Sequence, residues 1–112
     1  MSVTAMFDIP TMSQAQYDQV IRDLRTAGAA APPGRLYHVM STRPRGSQIV
    51  DVWESTQQLD AFFVTLGPIL VRNGVTPPQP AITPVHNIVE GDKTALPKPP
   101  IGSDRASDVL LM

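Results

Sequence analysis

The chain has 112 residues, of which 42% are hydrophobic and 17% charged, with a net charge of −1 and no cysteine. That length fits one domain, and the near-neutral charge gives no electrostatic footprint for nucleic acid or an anionic membrane. Without cysteine there are no disulfides, thiolate metal sites, iron–sulfur clusters or thiol nucleophiles, which suits a reducing cytoplasm.

Val3, Ala5, Phe7 and Ile9 alternate with Thr4, Met6 and Asp8, which predicts a first strand ended by Pro10. Ser13 and Gln16 have capping-box spacing, and Tyr17, Val20, Ile21 and Leu24 then mark one face of a helix that stops at Gly28. Leu36 to Thr42 and Gln48 to Glu54 read as two strands joined through the turn Arg43-Pro44-Arg45-Gly46-Ser47, an antiparallel hairpin. Arg43 and Arg45 read as solvated turn residues. Ser55 and Gln58 repeat the capping spacing, and Leu59, Phe62, Phe63, Leu66, Ile69 and Leu70 form the stripe of a second helix. Gly67-Pro68 should kink or interrupt it. Ala81 to Glu90 reads as a fourth strand, with Pro84 placing it at an edge or a bulge.

Twelve prolines are about twice the usual usage of roughly 5%. Seven fall between Pro77 and Pro100, so they mark the approach to the last strand and the stretch after it. Residues 1–90 are therefore expected to be the domain, and residues 91–112 a proline-containing tail. Val109, Leu110 and Leu111 give the tail an apolar end that would suit docking on a partner subunit or over a cavity. No apolar run reaches the roughly 18 residues of a membrane span, and the N-terminus has no signal-peptide pattern.

The order β-α-β-β-α-β is the split β-α-β pattern of α+β, ferredoxin-like folds, an antiparallel four-stranded sheet with two helices on one face. Two right-handed crossovers give the strand order 4-1-3-2. Two helices cover one sheet face only, yet Val50 and Val52 are apolar on one parity, and Ile49 and Trp53 on the other. The uncovered face needs a partner, and a second copy of the chain is the simplest.

The stretch Ile49-Val50-Asp51-Val52-Trp53-Glu54-Ser55 running into Phe62-Phe63, together with Pro84-Val85-His86-Asn87, carries a family resemblance. Over residues 3–90 the chain resembles the dimeric α/β-barrel superfamily and, within it, the antibiotic-biosynthesis-monooxygenase-like small proteins. The resemblance implies homodimers packed sheet on sheet, with a ligand cavity between each sheet and its helices. It also implies cofactor-independent oxygenation of aromatic polyketides as one activity. The haem-degrading and polyketide-cyclising branches use a histidine near the second helix, and Thr56 to Gly74 contains none.

Asp51 is the most informative polar residue, because a carboxylate in a central strand needs a partner or must neutralise. It shares strand parity with Trp53, so both should face one side. His38 lies on the strand hairpinned to that of Asp51, where a cross-strand His–Asp contact can form. His86 is the only other histidine, and either imidazole can move a proton near neutral pH. His38, His86 and Asp51 are thus the expected catalytic groups. Trp53, Tyr37 and Asn87, aromatic or amide groups with polar handles, are the expected ligand-binding residues. Arg35 and Arg72 match by residue type the arginine that helps hold substrate in the family's oxygenases. No ligand spacing supports a metal, and no Gly-rich phosphate loop or nucleophile elbow is present, so no metal or cofactor is expected.

Two readings follow. One is a cofactor-independent oxygenase-like enzyme for a small aromatic or polyketide-like substrate; the other is a non-catalytic homodimer that binds a small hydrophobic ligand or has a structural role. A void of several hundred cubic ångströms on which His38, Asp51 and Trp53 converge would favour a catalytic or ligand-binding reading, whereas Phe62, Phe63 and Leu66 filling that space would remove the oxygenase reading.

Overall fold

The computed structural model describes residues 1–92. The expected docking of Val109, Leu110 and Leu111 therefore lies outside the described residues. Six elements follow in the predicted order: β1 Val3–Ile9, α1 Gln14–Thr26, β2 Arg35–Thr42, β3 Ser47–Trp53, α2 Thr56–Arg72 and β4 Ala81–Pro84. The sheet is antiparallel with strand order β2-β3-β1-β4, as the two crossovers require.

The pleat of β1 separates the two faces. Val3, Ala5, Phe7 and Ile9 are buried, whereas Met6 and Asp8 are exposed. The buried set packs with Val20 and Leu24 of α1 and with Leu59, Phe62, Ile69 and Leu70 of α2. The helices therefore cover one face. On the other face Met6, Val50 and Val39 stand in one row across three strands, with Met6 43% and Val39 56% exposed. A Lys-free apolar row of this kind is unusual on a solvated sheet face.

Local chemistry explains the ends. Ser13 accepts from the Gln16 N–H at 3.1 Å while Gln16 Oε1 accepts from the Ser13 N–H at 2.9 Å, a complete capping box. At α2 only half of the box forms. Ser55 accepts from the Gln58 N–H at 3.2 Å, but the Gln58 side chain takes the Ser55 hydroxyl instead of the backbone. In the β2–β3 turn the Arg43 N–H donates to the Gly46 carbonyl, and Gly46 sits at φ 76°. A Cβ there would come within 2.3 Å of the Ile9 carbonyl oxygen, so only glycine fits both the angle and the space.

Two expectations need correction, and β2 holds an irregularity that the sequence reading does not contain. α2 is not interrupted at Gly67-Pro68: it runs through to Arg72. Pro68 removes the donor to the Val64 carbonyl, but Val64 is 76% exposed, so water can take its place. The last strand does not reach Glu90. It ends at Pro84, and after a single further bond from the Val85 N–H to the Ser2 carbonyl the chain leaves the sheet. Proline cannot donate to a ladder, which cuts the pairing short at this edge. Finally, β2 is not regular: the register shifts between Arg35 and Tyr37, making Leu36 an extra residue opposite β3.

Candidate functional site

The bulge at Leu36 decides which side chains meet. In an unbroken strand Arg35 and His38 would point to opposite faces. Here Arg35 pairs with Trp53 and His38 with Asp51, so both face the helices. The shift turns Tyr37, opposite Val52, to the other face.

A chain of polar groups then crosses the inner face. The indole Nε1–H of Trp53 donates to Asp51 Oδ2 at 3.1 Å. Asp51 Oδ1 lies 2.7 Å from His38 Nδ1, and His38 Nε2 lies 2.7 Å from the Tyr17 hydroxyl on α1. An ionised carboxylate only accepts, so Nδ1 carries the imidazole proton and Nε2 accepts from the Tyr17 O–H in the neutral ring. Both oxygens of Asp51 and both nitrogens of His38 are occupied. Trp53 is fully buried and the Asp51 side chain is 5% exposed, against 21% for His38.

Tyr17 is held by its helix. Gln16 Nε2 donates to the Asn73 carbonyl at 3.1 Å, and Asn73 Nδ2 donates to Asp23 Oδ2 at 2.9 Å, which ties α1 to the end of α2. Burial pushes the Tyr17 phenol above its usual 10.0; the Arg35 guanidinium opposes this, and Asp51 and Asp18 add to it. The neutral phenol is thus favoured in the folded state. Its stabilising contribution is complete below the ordinary tyrosine value and is lost as pH rises through the folded one. The chain has two tyrosines, so in a Tyr37→Phe protein the tyrosinate absorbance reports Tyr17 alone. We expect its midpoint above about pH 10, with unfolding free energy falling across that rise and a flatter alkaline limb in Tyr17→Phe/Tyr37→Phe. A midpoint below the ordinary value would contradict the burial of this phenol.

These groups border a cavity between sheet and helices. Phe7, Ile9, Val20, Ile21, Leu24 and Leu70 make much of its wall, and Tyr17, His38, Asp51 and Arg35 supply its polarity. Arg35 lies with its guanidinium 5.7 Å above the Phe62 ring and donates to the Ala30 carbonyl at 2.9 Å. Free volume is about 50 Å³; counting all space between atoms out through the open mouth gives about 500 Å³. The smaller figure decides what fits, since the larger includes solvent. It falls short of several hundred cubic ångströms, but Phe62, Phe63 and Leu66 line the open space rather than close it. Phe63 and Leu66 are only half-buried, and Phe63 stacks on Phe7 with ring centroids 5.6 Å apart.

Other expected site residues lie elsewhere. Trp53 does not line the cavity; its ring packs on Phe62 at 5.5 Å and its N–H serves Asp51. Tyr37 faces away and donates to Glu90 Oε1 at 2.9 Å. His86 and Asn87 are exposed beyond the end of β4, because the ladder stops at Pro84. Arg72 lies 3.4 Å from Asp23 at the end of α2, outside the cavity. Sequence reading missed Tyr17, which sits on the apolar stripe of α1 and passes for core. The usable signal was its hydroxyl, a polar atom that a buried helix face must satisfy. Among the described residues no group of three or more His, Asp or Glu side chains is placed to hold a metal, and no helix is long and apolar enough to cross a membrane.

No protein-family model matches the chain, and no curated protein does. Solved structures do. A candidate antibiotic biosynthesis monooxygenase from Chloroflexus aurantiacus superposes with a TM-score of 0.55 at 16% identity, over 81% of this chain and 100% of that one. SnoaB, a cofactor-independent oxygenase from Streptomyces nogalater, gives 0.51 at 12% identity, over 80% and 96%. A further candidate antibiotic biosynthesis monooxygenase, from Deinococcus radiodurans, gives 0.50 at 12% identity, over 82% and 99%. The chain has the antibiotic biosynthesis monooxygenase-like fold. Here the helix–sheet space is lined by Tyr17, His38 and Asp51, with Trp53 bonded to Asp51 behind them.

Proposed function

We propose that the protein is a cofactor-independent, oxygenase-like catalyst for a small aromatic or polyketide-like molecule bound in the helix–sheet cavity. The observation that carries this reading is the 2.7 Å contact between His38 and Asp51 at the wall of an otherwise apolar space. A buried carboxylate fixes the tautomer of the imidazole and stabilises the imidazolium that forms when it takes a proton. The dyad would deprotonate the substrate, and the electron-rich phenolate or carbanion would react with dioxygen. Arg35 would stand near the developing oxyanion. The fold shared with SnoaB fits such chemistry but does not impose it.

The catalyst would be a homodimer built through the open sheet faces, with residues 1–90 as the barrel domain and 91–112 as an appended arm. The lack of cysteine fits a cytoplasmic protein. The small cavity favours a second reading, a non-catalytic homodimer with a structural role. A dry cavity of about 150 Å³ holds benzene, and the free volume here is about 50 Å³. An aromatic substrate would have to displace the half-buried Phe63 and Leu66 side chains.

Oxygen uptake with a panel of quinols and anthrones separates the two readings. Wild-type protein should raise the rate above background, and His38→Ala should lower that gain by about 10²–10⁴-fold. His86→Ala, altered at an exposed position, should keep it. Background rates in all three proteins would leave the non-catalytic reading.

A further inference from the structure

We propose that Tyr17, rather than His38, is the group that touches the substrate, and that it passes the substrate's proton on to His38. The inference rests on the acid–base reading of the cavity and adds to it the identity of the contacting atom. His38 has no nitrogen to offer: Nδ1 faces Asp51 and Nε2 faces Tyr17, each at 2.7 Å. Asp51 has no oxygen to offer, because Oδ1 meets His38 and Oδ2 takes the indole N–H of Trp53. A substrate hydroxyl reaching either group would first have to break a short hydrogen bond.

Tyr17 is different. Its phenolic oxygen has two lone pairs and one proton. The proton points to His38, and among the described residues no other side chain or backbone group bonds this oxygen. Tyr17 also lines the cavity, so the residue that ends the polar chain borders the apolar space.

The step balances without any added reagent. The substrate O–H bond breaks and its proton bonds to the Tyr17 oxygen. The original Tyr17 proton moves to His38 Nε2. The substrate becomes a phenolate, and His38 becomes an imidazolium beside the Asp51 carboxylate. Tyr17 ends neutral, with its new O–H directed at the phenolate. Burial, which favours the neutral phenol, suits a group that hands on a proton without keeping the charge. Arg35 on the same wall adds a positive charge near the anion. Asp51 and Trp53 are positioning residues, since they act through His38.

The test uses 4-nitrophenol, whose phenolate absorbs visible light and whose neutral form does not. Binding to full-length wild-type protein should lower its apparent pKa by about one unit, a tenfold gain in the ratio of ionised to neutral ligand. Tyr17→Phe, checked for folding by circular dichroism, should abolish this shift as completely as His38→Gln does. In a Tyr37→Phe background Tyr17 is the only tyrosine. Incorporated 3-fluorotyrosine, a stronger acid, should there lower the bound ligand's pKa further. If Tyr17→Phe keeps the wild-type shift while His38→Gln loses it, His38 touches the ligand directly; the relay is then wrong and the acid–base reading survives. A wild-type protein that does not shift 4-nitrophenol at all overturns both.

Discussion

Replacing Asp51 by alanine is expected to lower the unfolding free energy by about 3 kcal/mol, the order expected when buried hydrogen-bonding groups lose their partner. The variant leaves the buried Trp53 indole N–H and the His38 imidazole without their acceptor. For a domain of this size the melting temperature should fall by roughly 12 °C or more. Asp51→Asn should separate stability from chemistry. Its amide oxygen can still take the Trp53 N–H, and its NH₂ can donate to His38 Nδ1, so the loss should be about 1 kcal/mol. That donation forces the imidazole proton onto Nε2, where it points at Tyr17 and blocks proton acceptance. A wrong tautomer of this kind costs about 10⁴ in rate in serine-protease triads. Thermal melts and oxygen uptake on both variants test the assignment. An asparagine variant with full activity would reduce Asp51 to a packing residue.

Val50→Asp should convert a dimer to a monomer. Val50 stands at the centre of the open face, between Met6 and Val39 in the same row. In a two-fold, sheet-on-sheet dimer this change buries one unpaired carboxylate from each copy, at roughly 3–5 kcal/mol apiece. One such penalty already raises the dissociation constant by more than about 10². Sedimentation at micromolar concentration should show half the wild-type mass for Val50→Asp and the full mass for Val50→Thr, which keeps the shape. A monomeric wild-type chain would mean that the open face has another partner.

The fold was legible because its signals are local and periodic. Capping at Ser13, alternation in Val3 to Ile9 and turn chemistry at Gly46 each act over a few residues, and the crossover rule orders the strands. The pairing of His38 with Asp51 was also within reach, since a hairpin puts neighbouring strands in register. Three things were not legible, each for a physical reason. Tyr17 approaches the dyad from α1, and which helix residue meets which strand residue depends on packing across some 20 residues of intervening chain. The bulge at Leu36 has no glycine or proline to announce it. The length of β4 was misjudged because β-branched residues continue past Pro84, at Val85, Ile88 and Val89, while the ladder depends on backbone donors that side chains do not record.

The extra residue in β2 also affects how this chain can be compared with others. His38 and Arg35 face the same space only because one position between them goes unmatched by β3. A relative with an unbulged strand would turn one of the two outward, even with identical residues at both places. Shared identity at His38 is therefore informative only when the count of residues back to Arg35 is shared as well. An alignment that opens or closes a single gap at Leu36 would transfer the proposed base to a chain unable to use it, or deny it to one that can.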